Sequence, residues 1–235
     1  MTKLILTEND YKKAIDIPVD GVWDSSISVK EEQMTNEILS KDKRIRDILI
    51  PKYCINKRVK ALAHEIVADY KGAERLDVLV VMAGAMIFAS DLAREVYAAG
   101  GIHLFFHLVK TNVYATGVKK SGEESRDVRL MLPPEDVKDK DIIIIDDIVD
   151  QGFTLTWLYQ YLMNDRACKS IKICTLLNKQ LDNPSPIVAA MRDQLKIDYS
   201  GFYIKDRWIT GYGIDTNNEY RNMPFIVTVK EEYFI

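Results

Sequence analysis

A chain of 235 residues, 47% hydrophobic and 29% charged, can bury a substantial core without disulfide or metal staples. Its net charge of −3 is spread along the chain, and no basic tail or stripe offers a nucleic-acid surface. The apolar runs are too short to span a bilayer, the start MTKLILTEND lacks a signal-peptide core, and Cys54, Cys168 and Cys174 fit reduced cysteines of a cytoplasmic protein.

In chain order, ISVKEEQMTNEILSKDK reads as an amphipathic helix. A second helix follows Pro51, with Ile55, Val59, Leu62, Ala63, Ile66 and Val67 at helical spacing. LDVLVVM is a strand, AGA breaks it, and MIFASDLAREVYAAGG is a helix stopped by two glycines. IHLFFHLV is the next strand. From Lys110 to about Arg126 the chain is polar, and it reads as a long loop of the kind that serves function. DVRLML is a strand, PPEDVKDK a turn, DIIIID a strand and TLTWLYQYLMN a helix. SIKICTLLN is a further strand, followed by the strand-like pieces DYSGFYI, RWITGYGI and PFIVTV.

Strand and helix alternate, and the strands are uninterrupted apolar runs, so the pattern predicts an α/β fold around a mainly parallel sheet flanked by helices. The two ends of the chain break the alternation. They are expected to form a small hood subdomain, residues 1–43 with 204–235, over a core of residues 44–203, the whole being one integrated domain. His64, His103 and His107 lack the partners that zinc or triad chemistry needs.

The segment KDIIIIDDIVDQGFTLTWL carries the chemistry. Ligands of open α/β sheets sit at the carboxyl ends of strands, where loops run into helix N-termini. There, Gly152 permits a tight turn whose amides can cradle an anion, and Thr154 is a plausible N-cap whose hydroxyl can reach a phosphate. Phosphate loops carry few acids, so Asp146 and Asp147 need another duty: sugar hydroxyls, or Mg²⁺ held largely through water. The bland alternative is a capped turn with solvated acids.

IIIIDDIVDQGFT resembles the phosphoribosyl pyrophosphate (PRPP) signature of the type I phosphoribosyltransferases: four apolar residues, two acids, two apolar residues, then Asp, a small polar residue, Gly, a variable residue and Thr. LVVMAGAMIFASDL is similar to the first, pyrophosphate-binding loop of the hypoxanthine-guanine phosphoribosyltransferases. ICTLLNK resembles the strand bearing that family's purine-reading lysine. GFYIKDRWITGYGIDTNNEYRNMPFI resembles its C-terminal segment, and ILIPKYCINKRVKALA its first core strand and helix. The resemblance runs in order from Ile48 to Val229.

The resemblance implies a type I phosphoribosyltransferase fold and a purine-salvage enzyme that converts Mg·PRPP and hypoxanthine or guanine to IMP or GMP and pyrophosphate. Asp146 and Asp147 match the pair on the ribose hydroxyls, which can also meet Mg²⁺ through water or the ribose. Asp150, Gln151, Gly152, Phe153 and Thr154 match the 5′-phosphate cradle, and Asp150 also matches the general base beside purine N7. Ala83, Gly84 and Ala85 match the pyrophosphate loop, which in the family often contains a non-proline cis peptide, at the place of Met82–Ala83 here, an isomer that the sequence does not show. Lys179 matches the donor to the 6-oxo group, Trp208 replaces the aromatic residue that stacks on the base, and Ile209 offers a carbonyl to the base edge. Asp215 matches a Mg²⁺ ligand and Arg221 the arginine on pyrophosphate. Tyr114, with Asn112 as a competing alignment, matches the tyrosine of a closing lid.

Two positions depart from the family pattern: Ala83 stands where Lys or Arg is common, and Gln151 where Ser or Thr is common. The implied partners are PRPP and a 6-oxopurine, with a homodimer or homotetramer as assembly and neither nucleic acid nor membrane. The alternatives are a xanthine-preferring transferase and a PRPP-sensing regulator without catalysis.

Overall fold

The computed structural model describes residues 3–114, 127–132, 134 and 136–233. The N-terminal segment holds three short strands, β1 (Leu4–Leu6), β2 (Ile15–Asp16) and β3 (Val22–Asp24), and the helix α1 (Val29–Ser40). After β4 (Ile45–Ile50) the chain alternates through α2 (Lys52–Asp69), β5 (Arg75–Met82), α3 (Met86–Gly100) and β6 (His103–Tyr114). It continues with β7 (Asp127–Leu132), β8 (Asp141–Val149), α4 (Phe153–Gln160) with a π-helical turn Tyr161–Asp165, β9 (Ser170–Gln180), α5 (Pro186–Gln194) and β10 (Tyr199–Lys205). Two short strands close the chain, β11 (Ile209–Thr210) and β12 (Ile226–Val229).

The main sheet has seven strands in the order β2-β10-β9-β8-β5-β6-β7, and only the β6–β7 pair is antiparallel. This is the mainly parallel α/β sheet that the uninterrupted apolar strands predict. Helices cover both faces: α2 and α3 pack on one through Ile55, Leu62, Phe88 and Leu92, and α4 on the other through Leu155 and Leu158. At the end of α3, Gly101 adopts the left-handed conformation (φ +70°) and its N–H closes on the Tyr97 carbonyl at 2.8 Å, the stop that the two glycines predict. A second, three-stranded antiparallel sheet, β11-β12-β4, joins the middle of the chain to its end.

Several expectations change. The small sheet takes β4 from inside the expected core, whereas β2, from the expected hood, extends the main sheet beside β10. The strands therefore do not divide at residue 43/44. The polar stretch expected as a loop from Lys110 begins as strand, since β6 runs on to Tyr114 and pairs with β7. The rest of that expected lid lies outside the described residues. Helix α5 was not anticipated, although Ser185 followed by Pro186 is a start signal: the Ser185 hydroxyl accepts the Val188 N–H at 3.3 Å, and Pro186 takes the first turn, where its missing N–H costs nothing.

The N-terminal strands hold through a buried polar cluster. Asp24, 1% exposed, accepts from the Tyr11 hydroxyl at 2.6 Å and the Ser26 amide at 2.8 Å, and pairs with Lys57 of α2 at 3.1 Å. The buried Arg58 ties the same helix to the carbonyls of Tyr11, Ser200 and Gly201. Burial alone would push the Asp24 carboxyl up, but Ser26, Tyr11 and Lys57 more than offset this and bring it to about 2. A carboxylate depressed in the folded state stabilises the fold fully above its unfolded value of about 4, and this contribution is lost as pH falls towards about 2. Asp24→Asn should therefore lower Tm at neutral pH and shrink the fall in Tm between about pH 4 and 2. A wild-type melting profile across that range would show that the cluster carries no stability.

Candidate active site

The four isoleucines alternate between layers. Ile143 and Ile145 enter the core under α2 and α3, while Ile142 and Ile144 enter the core under α4. The strand does not end at Asp146 as the pattern suggested. It pairs on through Ile148 and Val149 with Leu177 and Asn178 of β9. Both aspartates are thus strand residues, 6% and 9% exposed. An Asp146 carboxylate oxygen accepts the Asp147 N–H, and one of Asp147 accepts the Ile148 N–H, each at 3.0 Å. Burial pushes both carboxyls up. The charge of Asp147 raises Asp146 further, whereas hydrogen bonds and the Arg221 charge partly counter the effect on Asp147.

After β8 the chain turns at Gly152, which lies in the left-handed region (φ +91°) and caps α4. Thr154 is therefore the second residue of the helix and not its cap. No side-chain bond closes this N-terminus, and the turn amides head a helix whose dipole favours an anion. The Gln151 side-chain oxygen is buried with no hydrogen-bond partner.

Facing the turn is the loop after β5, with Met82–Ala83 in the cis form. The Ala85 N–H, expected to serve as an anion donor, instead meets the Val81 carbonyl at 3.2 Å, which leaves Ala83 and Gly84 as the candidate donors. Gly84 lies directly on Asp147: a Cβ there would stand 2.2 Å from a carboxylate oxygen. Gly213, at φ +101°, lies in turn on Gly84, and a Cβ on it would stand 2.0 Å from the Gly84 carbonyl oxygen. Three distant segments are thus stacked, Gly213 on the Gly84 backbone and Gly84 on the Asp147 carboxylate. The third brings Asp215 and Arg221, paired at 2.7 Å, with Arg221 also donating to the Gly213 carbonyl at 2.7 Å.

A cleft of ≈ 450 Å³ lies between them. Its walls include Ala83, Gly84, Asp146, Asp147, every residue from Asp150 to Thr154, Asp215 and Arg221. Lys179, at the end of β9, reaches towards the cleft, with its ammonium 3.8 Å from Asp150 and 2.9 Å from Asp206. Asp206 also accepts the Asp182 N–H at 3.2 Å. It drew no attention as one acid in a polar turn, because its role depends on a lysine distant in sequence. Trp208 and Ile209 belong to the small sheet. Ile209 is buried in β11, and the Trp208 indole N–H donates to the Thr216 hydroxyl at 3.1 Å. Trp208 lines, with Asp206 and Arg207, a second cavity of ≈ 390 Å³ and not the cleft of the acid pair. Asn112 and Tyr114 lie at the end of β6, and residues 115–126 are outside the described ones.

The phosphoribosyl transferase domain family matches residues 53–217, which is most of the chain. The chain belongs to this family. It is 32% identical over 194 residues to a hypoxanthine-guanine phosphoribosyltransferase of Lactococcus lactis, a match covering 82% of this chain and 96% of that protein. It is 31% identical to the bifunctional protein TilS/HprT of Listeria innocua over 85% of its own length but only 28% of that relative's. A solved hypoxanthine-guanine phosphoribosyltransferase from Bacillus anthracis superposes with a TM-score of 0.65 at 31% identity, covering 79% of this chain and 98% of that one.

For this phosphoribosyltransferase, the stacked glycines give a direct test. Gly213→Ala puts a Cβ against backbone in a conformation that side chains rarely adopt, which should cost about 2 kcal/mol or more and lower Tm by roughly 4 °C or more. A Tm unchanged within a degree would mean that the C-terminal turn does not lie on the loop after β5.

Proposed function

We propose that the chain transfers the 5-phosphoribosyl group of PRPP to a 6-oxopurine, hypoxanthine or guanine, releasing pyrophosphate and forming IMP or GMP. The observation that carries this reading is the pairing of Asp150 with Lys179, 3.8 Å apart at the edge of the cleft. N7 and the 6-oxo oxygen are neighbouring acceptors on one edge of such a purine. A lysine offers only donors and so suits the 6-oxo group, while a carboxylate beside it suits N7 when N7 carries a proton. Asp206, 2.9 Å from the ammonium, helps to hold Lys179 in place.

The remaining roles are drawn from the walls of the cleft and, for the base, from Trp208 and Ile209 at the small sheet. Asp146 and Asp147 take the ribose hydroxyls, which supply the donors that two buried carboxylates need. The amides from Asp150 to Thr154 hold the 5′-phosphate. Arg221, with the amides of Ala83 and Gly84, holds pyrophosphate. Trp208 covers the base with its ring, and the Ile209 carbonyl accepts from the base edge. In the reaction the bond from C1′ to the pyrophosphate oxygen breaks and the bond from C1′ to purine N9 forms. Asp150 takes the proton from N7, and its negative charge stands beside a ribose ring that becomes positive as pyrophosphate leaves.

Mg²⁺ fits this donor set. Among the described residues no three His, Cys, Asp or Glu side chains form a cage, so the ion would be held by Asp215 and the acid pair together with substrate oxygens and water, as Mg²⁺ commonly is. When bound, it neutralises charge on the departing pyrophosphate.

Base preference tests the reading. In a spectrophotometric assay with saturating Mg·PRPP, hypoxanthine and guanine should be used well, xanthine less, and adenine at least about 10²-fold worse in kcat/KM. Adenine sets an amino donor against the Lys179 ammonium. Comparable rates with adenine and hypoxanthine would remove Lys179 from its role, and no nucleotide from any purine would favour a PRPP-sensing regulator.

A further inference from the structure

Arg192 is a half-buried cation that none of these roles uses. It lies on α5, and its stem runs beneath the turn after β8: its Cδ is 3.2 Å from where a Cβ on Gly152 would stand. Its guanidinium is forked onto the end of β9, where Nη2 donates to the Asn178 side-chain oxygen and to the Lys179 carbonyl at 3.0 Å. The other terminal nitrogen, Nη1, is sealed from solvent and has no hydrogen-bond partner. Burying a guanidinium with an unused donor is costly, so the position calls for a compensating charge. Asp150 supplies part of it: burial disfavours the Arg192 charge and the Asp150 carboxylate supports it.

The charge balance of the cleft shows what the rest is for. Its described walls carry four carboxylates, Asp146, Asp147, Asp150 and Asp215, against the one guanidinium of Arg221. Arg221 stands at the Asp215 end, and the walls from Asp150 to Thr154 have no cation of their own. Apart from Lys179, whose ammonium lies 3.8 Å from Asp150 and is proposed for the base, a phosphomonoester dianion held there by amides would meet no opposite charge among those walls. Arg192 stands directly behind the turn.

We propose that Arg192 is the positioning cation of the 5′-phosphate subsite, acting from behind the Asp150–Thr154 turn. Its charge attracts the phosphomonoester through the turn, and its fork onto Asn178 and Lys179 fixes the turn to the end of β9. Gly152 is then required twice, once for its left-handed backbone and once for the space that the Arg192 stem fills. The inference rests on the proposed placement of the 5′-phosphate at this turn.

The test compares wild type with Arg192→Gln and Arg192→Lys. The probes are Mg·PRPP and IMP, which carry the 5′-phosphate, and pyrophosphate, which does not. Arg192→Gln should weaken IMP at least about tenfold in calorimetric Kd and raise KM for PRPP more than it lowers kcat, with pyrophosphate Kd within about twofold of wild type. Arg192→Lys, which keeps the charge and loses the fork, should recover most of the IMP affinity. Should Arg192→Gln not fold, Arg192→Lys carries the comparison: a loss for IMP no larger than its loss for pyrophosphate supports the charge, and a tenfold selective loss for IMP overturns it. Equal weakening of all three probes by Arg192→Gln, or IMP affinity unchanged, would also overturn the proposal. A wild-type protein that binds neither PRPP nor IMP would instead defeat the phosphoribosyl reading itself.

Discussion

Two adjacent carboxylates, buried at the end of the central strand, are the constraint on which the site depends. Asp146 and Asp147 lie just past the last β5–β8 pair, Val80 with Ile145, where β8 still runs alongside β9, and both are buried. Their only protein donors among the described hydrogen bonds are backbone amides, one to each. Burial raises both carboxyls, and the charge of Asp147 raises Asp146 further, a state that favours any ligand bringing hydroxyl donors or positive charge. The cleft is built around this need. Gly84 brings its loop onto the Asp147 carboxylate and Gly213 brings the C-terminal turn onto the Gly84 backbone, and larger residues would hold them off.

The small sheet sets the other wall. Because β12 pairs with both β4 and β11, the C-terminal segment is anchored before and after the turn that carries Asp215 and Arg221. Two tyrosines lock it further: the Tyr212 hydroxyl donates to Asp91 of α3 at 2.5 Å, and the Tyr220 hydroxyl to Asp42 at 2.8 Å. Trp208 and Ile209, proposed to meet the base, therefore stand at a different sheet from the residues proposed to hold the phosphoribosyl group. The Lys179–Asp206 pair ties the end of β9 to the start of the connection from β10 to β11.

Legibility in the sequence followed the range of the interactions. The apolar run with its acids, the Gly152 turn and the stop after α3 are local patterns, and each could be read from a few neighbouring residues. Strand pairing is not local. Hence the continuation of β8 through its own acids was missed, and so were the extension of β6 and the pairing of β2 with β10. Thr154 looked like a helix cap because only the observed backbone shows that Gly152 takes that position. Asp206 and Arg192 were unremarkable for the same reason: each acts on residues brought close only by the fold. The missed α5 is a different case, since its Ser-Pro start signal was visible.

Ribose recognition by the acid pair is tested most directly in the reverse reaction. With pyrophosphate and Mg²⁺ saturating, IMP is compared with its 2′-deoxy and 3′-deoxy analogues. Each missing hydroxyl leaves a buried carboxylate without its donor, so kcat/KM should fall at least about 10²-fold for each analogue. Deoxy analogues cleaved as fast as IMP would contradict the assignment of Asp146 and Asp147 to the ribose.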